Sequence, residues 1–281
     1  MTLAVGEVLR RSTAYLEGRG SPTPRLDAEL LLGHALGLGR VELYTGFERP
    51  LGEDELAECR ELIARRAKRE PVAYILGRWG FRGLDLDVDR RVLVPRPETE
   101  LLVDRCLALL DGVAGPAVLD VGTGSGAIAL ALASELPEAR VAGCDVSGDA
   151  REVARANGER LGVEVEWVAS DMLAGVEGRR FHLVVSNPPY VAAGEIEALE
   201  PEVRDWEPRG ATVAGETGLE AIERLVAQAP AALEPGGAIV LEVGAGQAGA
   251  VAALLDGAGL AGVGRDPDHA GIERIVWGRA V

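Results

Sequence analysis

Ala117-Val118-Leu119-Asp120-Val121-Gly122-Thr123-Gly124-Ser125-Gly126 is a short apolar run that breaks into a glycine-spaced loop. Ala127 to Leu136 follows as an Ala/Leu-rich stretch with helical character. Strand, tight loop and helix in that order open an α/β unit, and the pattern continues downstream. Arg140 to Cys144 reads as a second strand ending in Asp145, and Ser147 as the cap of a helix carrying Ala150, Val153 and Ala154. Val163 to Val168 is a third strand, followed by Ser170-Asp171-Met172. Phe181 to Ser186 is a fourth, a near-continuous apolar run of the kind buried inside a parallel sheet, and it ends at Asn187. Gly218 to Leu233 reads as helix. Glu234-Pro235-Gly236-Gly237 turns into a fifth strand, Ala238 to Val243. A helix over Gln247 to Gly257 and strands near 262–265 and 272–277 close the series. The fold class predicted is α/β, a doubly wound, mostly parallel sheet.

Upstream the period changes. Residues 1–75 read as a helical domain. Leu3, Val8, Leu9, Tyr15 and Leu16 form one helix, and Leu26, Leu30, Leu31, His34 and Ala35 a second, with Thr23 as N-cap and Pro24 at the first position. Val41 to Tyr44 is a short helix, and Glu53 to Arg69 a longer one with Leu56, Cys59, Leu62 and Ile63 inward. Its tail, Arg65-Arg66-Ala67-Lys68-Arg69, suits a helix C-terminus; the other reading is a contact for an acidic partner. Pro71 breaks the helical pattern. Leu84, Leu86 and Val88 alternate with aspartates, so a β-hairpin linker is placed over 76–95. The third segment, 96–281, opens with a helix capped near Thr99 and carries the sheet.

The chain has 281 residues and a net charge of −16. Residues 1–95 hold 15 basic and 15 acidic side chains, so all the excess acid lies in 96–281. An acidic domain is poorly suited to wrapping a phosphate backbone, and no nucleic-acid partner is expected. No apolar run is long enough to span a bilayer, and the first residues lack the pattern of a signal peptide. Cys59, Cys106 and Cys144 form no CxxC pair and read as buried thiols of a reducing cytoplasm. His34, His182 and His269 are isolated, so no metal site is expected.

The glycine loop lets a ligand approach backbone at the positive end of a helix, and Asp145 is placed to accept ribose hydroxyls. Gly122-x-Gly124-x-x-Ala127 also fits a dinucleotide fingerprint, so the loop alone leaves NAD and S-adenosylmethionine both open. Asn187-Pro188-Pro189-Tyr190 then bears on the choice. The prolines offer only carbonyl acceptors, Asn187 adds a side-chain carbonyl, and Tyr190 adds a flat ring. Rigid acceptors beside a ring suit a planar –NH2 group. A strand-terminating turn with a packed tyrosine is the plainer alternative.

Asp120, the 122–126 loop, Asp145 and Asn187-Pro188-Pro189-Tyr190, in that order, resemble the amino-group methyltransferases with a seven-stranded, S-adenosylmethionine-dependent class I fold. The resemblance narrows with Glu70-Pro71-Val72-Ala73-Tyr74-Ile75-Leu76-Gly77, the Phe81 hairpin, Val94-Pro95-Arg96-Pro97-Glu98-Thr99-Glu100 and Leu241-Glu242-Val243-Gly244. Across essentially the whole chain it is similar to the peptide chain release factor glutamine N5-methyltransferases, the PrmC/HemK family. That likeness implies a cofactor, S-adenosyl-L-methionine, with Gly122, Thr123, Gly124, Ser125 and Gly126 against its methionine end. It implies Asp145 on the ribose, Asp171 and Met172 beside the adenine, and Asn187 touching both cofactor and substrate. Met172 stands where some members carry an aromatic residue. Asn187, Pro188 and Tyr190 are the implied catalytic residues. Phe81, Asn187, Pro188, Pro189 and Tyr190 are the implied substrate contacts, with Phe81 closing the pocket from the hairpin. The implied substrate is the glutamine of a Gly-Gly-Gln motif in class 1 release factors, modified by a monomeric enzyme. Most of residues 95–100, and Glu242, read as structural. A ribosomal-RNA or DNA amino methyltransferase, and a non-catalytic cofactor-binding adaptor, are the competing readings.

Overall fold

The computed structural model describes residues 3–281. It divides into two compact units, one comprising the chain up to Arg78 together with Glu200–Trp206, the other Trp79–Leu199 with Glu207–Val281.

The first unit is helical: α1 (Val5–Glu17), α2 (Pro24–Leu36), α3 (Arg40–Thr45), α4 (Glu53–Arg66) and α5 (Val72–Leu76). Pro24 starts α2 with its fixed φ, but Thr23 does not cap it; the Thr23 hydroxyl donates to Asp27 instead. The buried face of α2 also differs from the expected one. Ala28, Leu31 and Leu32 are buried, whereas Leu26 and His34 are exposed. The cause is that α2 packs against α1, α4 and α5 at once and takes two acids inside, Asp27 and Glu29. Glu29 is paired with Arg25 and Arg40. Asp27 meets Arg66 at 2.6 Å. The basic tail is thus engaged internally: Arg65 pairs with Glu70, and Arg66 and Arg69 both pair with Glu202 of the returning segment. Pro71, expected only to break structure, precedes the short helix α5.

The second unit takes up the chain at Trp79, within the hairpin of β1 (Arg78–Phe81) and β2 (Leu84–Asp87), which its apolar residues anchor: Phe81 is 1% exposed and Leu86 is buried. Next come α6 (Pro97–Leu110), β3 (Ala117–Val121), α7 (Ala127–Glu135), β4 (Arg140–Asp145), α8 (Gly148–Leu161), β5 (Glu166–Ala169) and β6 (Phe181–Ser186). The stretch read as irregular holds a small parallel pair, β7 (Val191–Ala192) and β8 (Val213–Gly215), and the single-turn helix α10 (Arg209–Thr212); within it the single-turn helix α9 (Pro201–Arg204) belongs to the first unit. Then follow α11 (Glu220–Ala232), β9 (Leu233–Glu242), α12 (Ala248–Gly257), β10 (Ala261–Pro267) and β11 (Glu273–Arg279).

Seven strands form one sheet in the order β10-β11-β9-β6-β3-β4-β5; β9, β6, β3, β4 and β5 are mutually parallel, and β11 runs antiparallel to both its neighbours, β9 and β10. Leu119, Val184, Ile239 and Leu241 share a face and a core with Ile222, Leu225 and Val226 of α11 and Val251 and Leu255 of α12. Their strand neighbours Val118, Leu183, Val185 and Val240 are equally buried and point to the other face, where α6 packs on β6 and β9. Both faces are therefore covered, which is why these strands read as continuous apolar runs.

Three boundaries differ from the sequence reading, each for a local reason. β5 starts at Glu166 because Val163 N–H closes the end of α8 on Gly158 O. β9 starts at Leu233, with Glu234–Gly237 held as a bulge between the pairs Phe181–Leu233 and Leu183–Ala238. α6 starts at Pro97, because the Thr99 hydroxyl is committed elsewhere, to Glu242.

Asn157 on α8 ties the hairpin to the sheet. Its Oδ1 accepts from Asp87 N (2.7 Å), and its Nδ2 donates to Asp87 O (3.0 Å) and Ser125 O (2.9 Å). The side chain is wholly buried, so removing it loses three hydrogen bonds to backbone groups, the one to Ser125 O at a buried position. Asn157→Ala is expected to lower unfolding free energy by about 3 kcal/mol, read by urea denaturation; a loss within experimental error would show that solvent reaches this junction.

Candidate active site

The register of the parallel strands lines up one row of residues at their carboxyl ends. Val121 pairs with Cys144 and Ser186, Asp145 with Ala169, and Ser186 with Leu241. One step further along each strand lie Gly122, Ser170, Asn187 and Glu242, with Asp145 ending its own. The chain reverses its winding direction between β3 and β6, and that point of an open sheet is where ligands bind. A cavity of about 560 Å³ opens there, within the range of ligand pockets. A wider groove of about 1330 Å³ lies at the opposite, amino ends of β3 and β4, lined by Ala117 and Arg140. It is larger and carries charged side chains such as Arg140, Arg155, Glu159 and Glu166, but it lies away from the carboxyl ends of the strands, where ligands of open α/β sheets bind.

Gly122, Thr123, Gly124 and Ser125 line the cavity. Gly122 and Gly124 have φ of +73° and +55°, and a Cβ on Gly122 would meet nothing within 4 Å. The loop is thus a shallow cradle with open space above its backbone. It is held from below: Gly122 N and Thr123 N donate to Cys144 O, and the Thr123 hydroxyl donates to Asp120 Oδ2 at 2.6 Å. Asp120 is fully buried, with its Oδ1 lacking a partner, and burial pushes its carboxyl up to about 7. Gly126, expected with the rest of the loop to hold the cofactor, is not among the residues that line the cavity. A Cβ there would press on Trp167, Leu130 and Ala154 at 3.0–3.2 Å, so it is a close-packing position under the loop.

Asp145 lines the cavity and is fixed by two backbone donors, Gly124 N to Oδ2 (3.0 Å) and Ser147 N to Oδ1 (2.9 Å). A carboxylate has about four acceptor positions, so capacity remains for hydroxyls. Asp171 and Met172 line the cavity further along. Asp171 is in an exposed pair with Arg224, which also lines it. Met172 is held in a left-handed conformation, φ +52°, while its carbonyl accepts from the Ser170 hydroxyl at 2.6 Å. That conformation is uncommon for a side chain with a Cβ and is maintained by this bond.

Asn187, Pro188 and Pro189 form another wall. Asn187 Nδ2 donates to Thr99 Oγ1 at 3.2 Å, which turns Oδ1 to the other end of the amide. Tyr190 does not line the cavity. Its ring packs by Gly244, its carbonyl accepts from Gln247, and burial with the nearby Glu242 charge raises its phenol. It braces the turn from behind. Phe81, expected to close the pocket, is a core residue of the hairpin and also absent from the lining; burying an aromatic ring against the unit outweighs leaving it in solvent.

Other lining residues escaped the sequence reading. Pro208, Gly210, Ala211, Val213 and Ala214 form a wall from the stretch read as irregular. It is pinned by Glu207, buried, which takes Arg96 at 2.7 Å. Proline and glycine spacing there marks only turns, so no local signal pointed to a ligand. The cysteines are inert: burial pushes Cys59 up to about 11 and Cys144 up to about 12, and Cys106 is raised as well. His182 accepts from Ala117 N in a structural bond. Among the described residues there is no cluster suited to a metal ion and no helix long and apolar enough to cross a membrane.

A seven-stranded sheet whose one reversed strand, β11, lies between β9 and β10, a glycine cradle after β3, an acid after β4 and Asn-Pro-Pro after β6 define a class I methyltransferase. The fold agrees with a solved methyltransferase from Pyrococcus furiosus (TM-score 0.52, 22% identity, 71% of this chain and 90% of that one). The family model for the "PrmC N-terminal domain" matches residues 7–77, and that for the "Methyltransferase small domain" matches 98–200. The release factor glutamine methyltransferase of Geobacter sulfurreducens is 45% identical over 98% of this chain and 96% of its own. That of Burkholderia pseudomallei is 48% identical over 93% and 94%. The chain belongs to the release factor glutamine methyltransferase family.

Proposed function

We propose that the chain methylates the side-chain amide nitrogen of the glutamine in the Gly-Gly-Gln motif of class 1 release factors. The observation that carries this is the fixed Asn187 amide at the end of β6, beside a glycine cradle of cofactor size. The residues fit S-adenosylmethionine: the 122–125 cradle for its methionine end, Asp145 for its ribose, and Asp171 with Met172 for its adenine. When bound, it supplies an electrophilic methyl on a sulfonium and leaves as S-adenosylhomocysteine.

An amide nitrogen is a weak nucleophile because its lone pair is delocalised into the carbonyl. Neither a free thiolate nor an available imidazole lines the cavity, so no strong base is at hand. Positioning supplies the catalysis instead. Asn187 Oδ1 and the Pro188 carbonyl accept the two N–H groups of the substrate amide. They favour its pyramidal form, aim it at the cradle, and stabilise the positive charge that develops on nitrogen. The methylated nitrogen then releases one proton to water. Pro189 shapes the wall and Tyr190 braces the turn behind it.

Residues 1–75 are assigned to gripping the folded partner, since a lone glutamine side chain offers too little surface for selection. Residues 76–95 link, and 96–281 transfer. The protein acts in the cytoplasm as a monomer. The charge of −16 disfavours a nucleic-acid substrate. The test is transfer of labelled methyl to a purified release factor, its Gly-Gly-Gln Gln→Ala variant, ribosomal RNA and DNA. Label is expected on the wild-type factor alone; label on nucleic acid would overturn the substrate.

A further inference from the structure

We infer that Thr99 and Glu242 are positioning residues that fix which end of the Asn187 amide faces the substrate. The inference rests on the reading of the reaction given above and deepens it. Three side chains from three elements form one chain of hydrogen bonds. Asn187 Nδ2 donates to Thr99 Oγ1 at 3.2 Å, and Thr99 Oγ1 donates to Glu242 Oε2 at 2.7 Å. Thr99 and Glu242 are each 3% exposed, so water does not compete for these bonds.

The direction of the chain follows from valence. A carboxylate can only accept, so Thr99 must spend its single proton on Glu242. The Thr99 oxygen then presents only lone pairs to Asn187, so the amide must offer its NH2. The other end of a planar amide is its carbonyl, and Oδ1 is the acceptor that the substrate N–H requires. A reversed Asn187 would present a donor to a donor.

Protonated Glu242 can donate as well as accept. Thr99 is then free to donate toward Asn187, and the reversed amide becomes allowed. Burial pushes this carboxyl up to about 7. The groups that face it are Thr99 and Glu98 on α6, Arg96 before that helix, Arg274 on β11, and the Tyr190 phenol after β6. Glu98 opposes its ionisation; Arg96 and Arg274 favour it. The ordered chain is therefore present above about pH 7 and lost below it. The folded-state value lies above the ordinary one of 4.5, so stability falls as pH rises from 4.5 toward 7, while turnover rises.

The test is kcat for methyl transfer to a release factor from pH 6 to 8.5, with KM for each substrate, for wild type, Glu242→Gln, Thr99→Val and Thr99→Ser. Wild-type kcat is expected to climb through an inflection near 7. Glu242→Gln, which can both donate and accept, should lose about 10- to 100-fold in kcat and the inflection, with KM for the cofactor held within about twofold. Thr99→Val should behave alike and Thr99→Ser should recover most of kcat. Asp120 titrates in the same range, but it lies beneath the glycine cradle, so its ionisation acts on cofactor KM. A melting curve at pH 8 reports folding separately, and Glu242→Gln is expected to melt no lower than wild type there. Active wild type with unchanged kcat and inflection in Glu242→Gln would overturn the positioning role alone. No transfer by wild type to any release factor would overturn the reaction reading and the positioning role with it.

Discussion

Asn187→Ala is expected to abolish methyl transfer to release factor while leaving cofactor binding intact. The variant removes the one side-chain acceptor that the fold aims into the cavity from the end of β6. Removing a single preorganised polar group at the charge-developing atom costs about 10²–10³ in kcat in comparable sites, and Asn187 supplies orientation as well. The backbone of the turn stays in place, because Pro188 and Pro189 fix their own φ and the Tyr190 carbonyl is held by Gln247. The cradle is on a different strand and is held by Cys144 and Asp120, so equilibrium binding of S-adenosylmethionine is expected to change less than about threefold. Single-turnover transfer together with cofactor titration separates the two. Turnover near wild type with cofactor bound would remove Asn187 from the mechanism.

Arg66→Met is expected to cost about 3–5 kcal/mol of stability in the helical unit. The Arg66 side chain is 3% exposed and meets Asp27 and Glu202, both at 2.6 Å, and it also donates to Glu70 O. Methionine fills similar space but leaves the Asp27 carboxylate with only the Ser21 and Thr23 hydroxyls. Glu202 keeps Arg69, so the larger part of the loss falls on Asp27. A double variant, Arg66→Met with Asp27→Asn, should regain part of it, since the uncompensated buried charge is gone. Denaturant unfolding of both variants measures this. A single-variant loss under about 1 kcal/mol, the level of an exposed pair, would show the network to be solvated.

Local patterns carried much of the architecture into the sequence. Strands Ala117–Val121 and Phe181–Ser186 are buried on both faces and so read as apolar runs. The glycine loop reads because its left-handed backbone demands glycine, and Asn187 because two prolines mark its turn. Such features are encoded within a few residues. The groups that escaped are paired over long distances. Thr99 and Glu242 are 143 residues apart, and Asn157 and Asp87 are 70 apart. Thr99 looked like a helix cap and Glu242 like a structural strand residue, and nothing in the local pattern singled out Asn157. Arg66 sits in a basic run whose ordinary explanation is a helix end; its acidic partners come from α2 and from a segment that returns much later in the chain. Phe81, which the resemblance places at the pocket, is 1% exposed and packed in the hairpin, a burial that a single aromatic residue in the sequence does not reveal.

The most direct measurement is mass spectrometry of a release factor after incubation with the enzyme and S-adenosylmethionine. Peptide fragmentation should place a single added methyl on the side-chain nitrogen of the Gly-Gly-Gln glutamine, with none on the factor treated with Asn187→Ala. A methyl on any other residue, or an unmodified glutamine with active wild-type enzyme, would contradict the account.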